Sequence, residues 1–181
     1  MKGLFIIFIL ILTLTSCKDL EGRRPINRSS GSYIQESIER NKDLIALEEK
    51  DIQSYIKKDT LNTYTASNDG FWYTYIVKDS TNTTLVPKVG DLTQFTYTLK
   101  TLSGRTLVSK EEVGQVITQI DQSNQELISG IRDGLKIMKE GETVIFLFPS
   151  YKGYGYYGLE QKIPSNTILV CELTLFKIKQ Q

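Results

Sequence analysis

The chain has 181 residues, with 22 Lys and Arg against 21 Asp and Glu, two Cys and no His. Without histidine it cannot supply a Ser-His-Asp or Cys-His triad, an imidazole general base or a His-based zinc site. A net charge of +1 provides no general attraction to nucleic acid, so we expect no nucleic-acid partner.

The first segment of the chain predicts an export signal. Lys2 precedes an uncharged apolar run, Leu4 to Leu14, which is too short to span a bilayer but typical of a signal peptide. The run ends in Leu14-Thr15-Ser16-Cys17, which resembles the lipobox of bacterial lipoproteins. We therefore predict a lipoprotein signal peptide over 1–16, lipidation of Cys17, and a cell-envelope protein that is held on a membrane by its lipid and faces the periplasm. An ordinary secretory signal with an incidental cysteine is the alternative.

Residues 17–31 are polar and contain Gly, Pro, Ser and Asn, which predicts a flexible stalk. Over residues 32–60, isoleucines recur at steps of four and seven residues with charges between them, and this predicts a long amphipathic helix with one narrow apolar stripe. The stripe consists of Ile34, Ile38, Ile45, Ile52 and Ile56. It could pack on the protein's own domain, form a homodimer as a coiled coil, or dock on another envelope protein.

Residues 61–70 are polar and turn-rich, which predicts a linker, and from 71 to 181 the composition favours β-structure. Strands are predicted at 71–77, 94–100, 116–120, 143–148 and 167–178. One helix is predicted over 125–139, because Leu127, Ile131, Leu135 and Met138 share a face. The fold class is therefore α+β: a mostly antiparallel sheet wraps one short helix and follows a long N-terminal helix. Within it, Cys171 is predicted to be a small buried hydrophobe, a reactive or intermolecular thiol being the alternative.

The sequence offers little for polar catalysis. Residues 153–158 match GxGxxG, but Pro164 interrupts any helix within two turns, so we reject a dinucleotide site and predict a loop walled with aromatic rings. Glu111, Glu112 and Asp121 lack a second carboxylate in a catalytic context and are predicted to be solvated surface. We predict no metal and no cofactor.

An apolar pocket without acids or bases suits one reaction. Rotation about an X–Pro peptide bond faces a barrier of ~18–20 kcal/mol and needs neither base nor nucleophile. A dry pocket lowers this barrier because the twisted amide is less polar than the planar one.

The order of several sequence blocks is similar to that of the FKBP-type peptidyl-prolyl isomerases. The blocks are Glu126–Gly141, Val144–Pro149, Tyr154-Gly155 and Lys162–Val170, and the resemblance covers residues 71–179. It implies a bent antiparallel sheet half-wrapped around the helix, with the proline pocket between them. Proline-containing polypeptides are the implied substrates.

Carried over position by position, the resemblance implies catalytic roles for three residues. Tyr97 would form an aromatic wall, the backbone N–H of Ile128 would donate to the substrate carbonyl, and the Tyr154 hydroxyl would bind the peptide. Substrate contacts are implied for Leu107, Val108, Val116, Leu127, Ile131, Ile163 and Cys171.

The chain departs from the family pattern at four of these positions. Leu107 replaces the usual Phe, Val108 the usual Asp, Ile131 a common Trp, and Cys171 another aromatic residue. These changes predict a roomier pocket without its carboxylate, and weaker activity or macrolide binding.

The layout of signal, stalk, helix and one domain is similar to the gliding-motility-associated isomerase lipoproteins of the Bacteroidota. Two hypotheses follow. The first is a lipid-anchored prolyl isomerase that assists the folding of exported, envelope, motility or secretion-machinery proteins. The second is a catalytically weak or inactive binding module that docks on an envelope or motility protein, or dimerises, through residues 32–60.

Overall fold

A computed structural model describes residues 31–79, 84–122 and 127–180. The predicted signal peptide 1–16, Cys17 and nearly all of the predicted stalk 17–31 lie outside the described residues. None of the described helices combines the length and the apolar character needed to cross a membrane. The contacts within the chain divide it after Ser37 into two compact units. The packing of α1 on the sheet lies within the second unit, residues 38–181.

The N-terminal helix, α1, spans Gly31–Lys58, close to the predicted 32–60. Ile52 in its last turns is fully buried and Ile56 is half-buried. Ile34 and Ile38 near its start are 57% and 43% exposed. Packing on the protein's own domain therefore accounts for the C-terminal part of the isoleucine stripe.

Within the described residues, seven strands form one antiparallel sheet. They are β1 Thr65–Ala66, β2 Trp72–Val77, β3 Leu92–Lys100, β4 Thr106–Val108, β5 Val116–Gln119, β6 Thr143–Phe148 and β7 Leu169–Lys179. The order is β1-β2-β6-β7-β3-β4, and β5 also pairs with β3. A short helix, α2 at Lys110–Val113, separates β4 from β5 along the edge of β3. The segment 61–70, predicted as a linker, includes β1.

The inner face of the sheet packs against a short helix, α3, at Ser129–Leu135. The main core combines Phe95, Leu99, Phe146 and Leu173 from the strands with Leu135 from α3, all fully buried. The predicted α+β class, with an antiparallel sheet, a short helix packed on it and a preceding helix, is confirmed. The four-residue α2 is a further helix that the sequence did not predict.

Two glycines let α3 approach the sheet closely. A Cβ atom at Gly130 would lie 2.7 Å from the ring of Phe148, and one at Gly134 would lie 2.9 Å from the ring of Phe146. The two rings stack with centroids 5.3 Å apart. Any larger residue at Gly130 or Gly134 would have to push the helix away from the sheet.

The helix predicted over 125–139 is shorter in the structure, and its first two predicted residues lie outside the described part. Ile128 is the N-cap and has extended backbone angles (φ −59°, ψ 147°). After Leu135 the amides of Ile137 and Met138 bond to carbonyls three residues earlier, a tighter turn that ends the α-helix. Leu127 and Met138 still pack on the core. The apolar spacing therefore predicted correctly which residues are buried, but it predicted too long a helix.

The outer face of the sheet carries a second apolar cluster. Ile52 of α1 packs there with Leu147 of β6 and Val170 of β7. Tyr55, Ile56, Tyr64, Trp72, Leu102, Ile145 and Ile168 surround this group. Residues on β6 therefore alternate between the inner core and the face that α1 covers.

Candidate functional site

Every predicted pocket residue lies in or against the main apolar core on the inner face of the sheet. Val108, Ile128, Ile131, Ile163 and Cys171 are buried within it. Tyr97, Leu107, Val116, Leu127 and Tyr154 are partly buried and pack against it.

The sheet supplies one wall of this cluster. Tyr97 lies on β3 beside Phe95, with ring centroids 6.3 Å apart. Leu99 pairs with Val108 of β4 and with Cys171 of β7. Because paired residues of neighbouring strands share a face, the side chains of Val108 and Cys171 face the same side as Tyr97.

A long loop between β6 and β7 also packs on this cluster through Ile163, and it carries Tyr154. It begins with a 3₁₀ turn at Ser150–Lys152, and the Ser150 carbonyl accepts hydrogen bonds from the amides of Gly153 and Gly155, both at 2.9 Å. Residues 153–157 continue as turns.

The second half of the loop holds Ile163 by a small backbone bridge. The amide of Leu159 donates to the Ile163 carbonyl at 2.8 Å, and the amide of Ile163 donates to the Leu159 carbonyl at 2.9 Å. The Ile163 side chain is only 3% exposed, and these two backbone hydrogen bonds hold it in its place in the cluster.

Three groups at the cluster could donate hydrogen bonds to a ligand. Among the described residues, neither the Tyr97 nor the Tyr154 hydroxyl has a hydrogen-bond partner, and the amide of Ile128 has no acceptor. The first amides of a helix have no partner within the helix, and Ile128 directly precedes α3. An apolar surface edged by unpaired donors can orient a peptide carbonyl and exclude water from it.

Burial keeps the polar groups of the cluster neutral. It raises the pKa of Tyr97 to about 12, with smaller contributions from the charges of Tyr154, Cys171 and Glu112. Burial is also the main cause that raises the pKa of Tyr154 and of the Cys171 thiol. Cys171 is a free, buried cysteine, as predicted, and the tyrosines are donors rather than charges.

The sequence did not predict an ion pair that joins the β6–β7 loop to α2. Lys162 bonds to Glu112 across 50 residues of sequence. Hydrogen bonding to Lys162 is the main cause that lowers the pKa of Glu112, and the charge of Glu112 reaches Tyr97. Glu112 is exposed, as predicted. No local pattern reveals a pair so distant in sequence.

A cleft of about 200 Å³ that is lined in part by basic side chains adjoins Ile163. It is lined by Arg105, Gln161, Lys162, Ile163 and Pro164.

Across the described residues, no group of three or more Asp, Glu or Cys side chains is arranged to hold a metal ion.

The family model and the curated relatives that this chain matches point to the same family. A family model described as FKBP-type peptidyl-prolyl cis-trans isomerase matches residues 84–176. The chain is 28% identical over 94 residues, 52% of its length, to the peptidyl-prolyl cis-trans isomerase FKBP9 of Homo sapiens. It is 30% identical over 92 residues, 50% of its length, to a probable FKBP-type peptidyl-prolyl cis-trans isomerase of Haemophilus influenzae. These matches span only 16% and 36% of the two relatives.

Two solved structures share the fold. A peptidyl-prolyl cis-trans isomerase from Pseudomonas syringae aligns with a TM-score of 0.58 at 20% identity, over 77% of this chain and 96% of that chain. FkpA from Escherichia coli aligns with a TM-score of 0.60 at 20% identity, over 99% of this chain and 82% of that chain. At this identity the likeness concerns the fold.

Proposed function

Because the chain belongs to the family of FKBP-type peptidyl-prolyl cis-trans isomerases, we propose that it catalyses rotation about X–Pro bonds at the inner apolar cluster. The observation that carries the proposal is the convergence, at one apolar cluster, of donors at Tyr97, Ile128 and Tyr154 that have no partner among the described residues. Its substrates are proline-containing polypeptides.

The cluster acts by binding a twisted amide better than a planar one. Rotation removes the resonance that makes the planar amide polar. The transition state therefore loses less solvation free energy than the ground state when water is excluded. The Ile128 amide and the tyrosine hydroxyls hold the flanking carbonyls while the prolyl bond turns. Each 1.36 kcal/mol of preferential binding accelerates rotation about tenfold.

Removing one hydroxyl tests this proposal. We expect Tyr154→Phe to lower kcat/KM for a short X–Pro peptide by about 3- to 10-fold, which corresponds to the loss of one hydrogen bond of about 1 kcal/mol. Tyr157→Phe is the matched control, because Tyr157 lies in the same loop but is 91% exposed. NMR exchange between the cis and trans peptide measures both variants. A folded wild-type protein that does not accelerate exchange would contradict the proposal and favour the binding-module hypothesis.

The pH profile provides an independent check. Since the pKa of Tyr97 is raised to about 12 and that of Tyr154 is raised as well, both hydroxyls stay neutral well into the alkaline range. We expect kcat/KM to be constant from about pH 6 to 9. The raised pKa of Tyr97 stabilises the fold fully below about pH 10, the value of an unfolded tyrosine, and this stabilisation is lost as the pH rises to about 12. An inflection near neutral pH would show that another group takes part.

We further propose that the protein is lipidated at Cys17 and works at the cell envelope, facing the periplasm. The support is the sequence Leu14-Thr15-Ser16-Cys17 after an apolar run. Clients in a motility or secretion machinery are proposed from the similarity of layout alone. Mass analysis of the mature N-terminus tests the anchor, because an unmodified residue at position 17 would exclude it.

A second function, partner binding through residues 32–60, is proposed from the exposed start of α1. Ile34 and Ile38 are 57% and 43% exposed on a helix whose later isoleucines are used in packing. The occupant is a second copy of the chain or another envelope protein. Sedimentation of the wild type and of an Ile34→Asp, Ile38→Asp variant separates assembly from peptide activity, which should not change.

A further inference from the structure

The N-terminal helix contributes one charged side chain to the interior. Glu48 of α1 is only 4% exposed, whereas Glu49 and Asp51 beside it are exposed. Glu48 lies three residues after Ile45 and four before Ile52, on the apolar face of the helix. Burying a carboxyl group is unfavourable unless specific hydrogen bonds compensate for the lost water.

The compensating contact joins Glu48 to the start of the β6–β7 loop. Oε2 of Glu48 accepts a hydrogen bond of 2.8 Å from the backbone amide of Ser150, across 102 residues of sequence. Oε1 is buried without a partner among the described residues. Ser150 is itself 3% exposed. Within the described contacts, the Ser150 amide is therefore the one hydrogen-bond donor to this buried carboxyl group.

Ser150 in turn organises the backbone around Tyr154. Its carbonyl accepts from the amides of Gly153 and Gly155, the residues on either side of Tyr154. Three other side-chain contacts hold neighbouring residues: Lys152 pairs with Asp133 of α3 at 2.9 Å, the Ser129 hydroxyl donates to the Lys152 carbonyl at 3.3 Å, and the Tyr151 hydroxyl donates to the Gly70 carbonyl at 3.0 Å. All three contacts lie C-terminal to Ser150. Among the side-chain contacts of the described residues, Glu48 alone bonds to Ser150, whose carbonyl accepts from the amides of both glycines.

We infer that Glu48 is a positioning residue of the pocket: it holds Ser150, and through Ser150 it sets the backbone of the loop that carries Tyr154. The effect of this on catalysis rests on the proposed isomerase function, whereas its effect on the loop does not. The N-terminal helix is accordingly part of the site's support as well as a cover for the outer face.

Hydrogen exchange tests the loop directly. In the full chain, we expect Glu48→Ala to speed exchange of the Gly153 and Gly155 amides at least roughly tenfold, with the β7 amides unchanged, because the loop opens locally. Glu48→Gln keeps an acceptor for Ser150 and should stay within about threefold of wild type. Asp51→Ala, an exposed acidic residue on the same helix, is the matched control and should change nothing. Unchanged loop exchange in Glu48→Ala, or an equal rise in β7, would overturn the inference.

A double-mutant cycle tests the link to Tyr154. We expect Glu48→Ala to lower kcat/KM roughly tenfold in the wild-type background but far less in the Tyr154→Phe background, because the two changes act through one group. In the Tyr97→Phe background, on β3, the loss should remain tenfold. Additive losses with Tyr154→Phe would overturn the catalytic link. An inactive wild type would instead defeat the proposed function, and the exchange measurement would still decide whether Glu48 positions the loop.

Discussion

Gly158→Ala is expected to lower kcat/KM at least roughly 100-fold while leaving the sheet folded. Gly158 has a φ of +66°, and a Cβ atom there would lie 2.3 Å from the Ile163 carbonyl oxygen and 2.9 Å from the Pro164 carbonyl carbon. Both neighbours are backbone atoms, so no side-chain rotation can relieve the clash. The same Ile163 oxygen accepts the Leu159 amide, so the loop must open and move Ile163 out of the pocket wall.

The matched control for this substitution is Gly141→Ala. Gly141 has a φ of +82°, but no heavy atom lies within 4 Å of its added Cβ. It should therefore show only the conformational cost of a left-handed alanine, about 1 kcal/mol, with normal activity. Peptide exchange and circular dichroism of both variants make the measurement. Equal kcat/KM of Gly158→Ala and Gly141→Ala would show that catalysis does not depend on the position of Ile163.

Phe146→Ala should lower the free energy of unfolding by about 3–5 kcal/mol. The ring is fully buried, stacks on Phe148 at 5.3 Å and meets Phe71 edge-on at 5.6 Å. It also faces Gly134 of α3, where no side chain can move in to fill the cavity. The loss is a large fraction of the 5–15 kcal/mol typical of a domain.

Phe176→Ala on β7 is the comparison for this prediction. Phe176 is 41% exposed, so truncation should cost less than about 1 kcal/mol. Urea denaturation followed by circular dichroism gives both values. A similar loss for Phe146 and Phe176 would contradict the assignment of Phe146 to the centre of the core.

The sequence predicted the long elements well because their side-chain periods are regular. The strands at 143–148 and 167–178 and the helix at 32–60 lie within about two residues of the structure. Thr106–Val108 and α2 were missed, since three or four residues are too few to show a period. The close approach at Gly130 and Gly134 was missed as well, because it depends on rings from a distant strand.

The candidate site was predicted through family resemblance rather than periodicity. That resemblance named Tyr97, Ile128 and Tyr154, which the fold brings to one cluster, though their roles stay predictions. It could not supply Glu48 or the Glu112–Lys162 pair, whose contacts depend on tertiary structure. A glutamate within an apolar stripe was nevertheless a visible signal at position 48, because such a residue must be either exposed by rotation or paired when buried.

The strand order has a consequence for how the chain reaches its fold. β7 lies between β6 and β3 and pairs along their whole length, yet it follows both in the sequence. During synthesis on a ribosome, β3 must therefore wait for about 70 residues of intervening chain before its main neighbour emerges, and closing so long a loop slows folding. We expect the nascent chain to lack its complete sheet until residues 169–179 have left the ribosome.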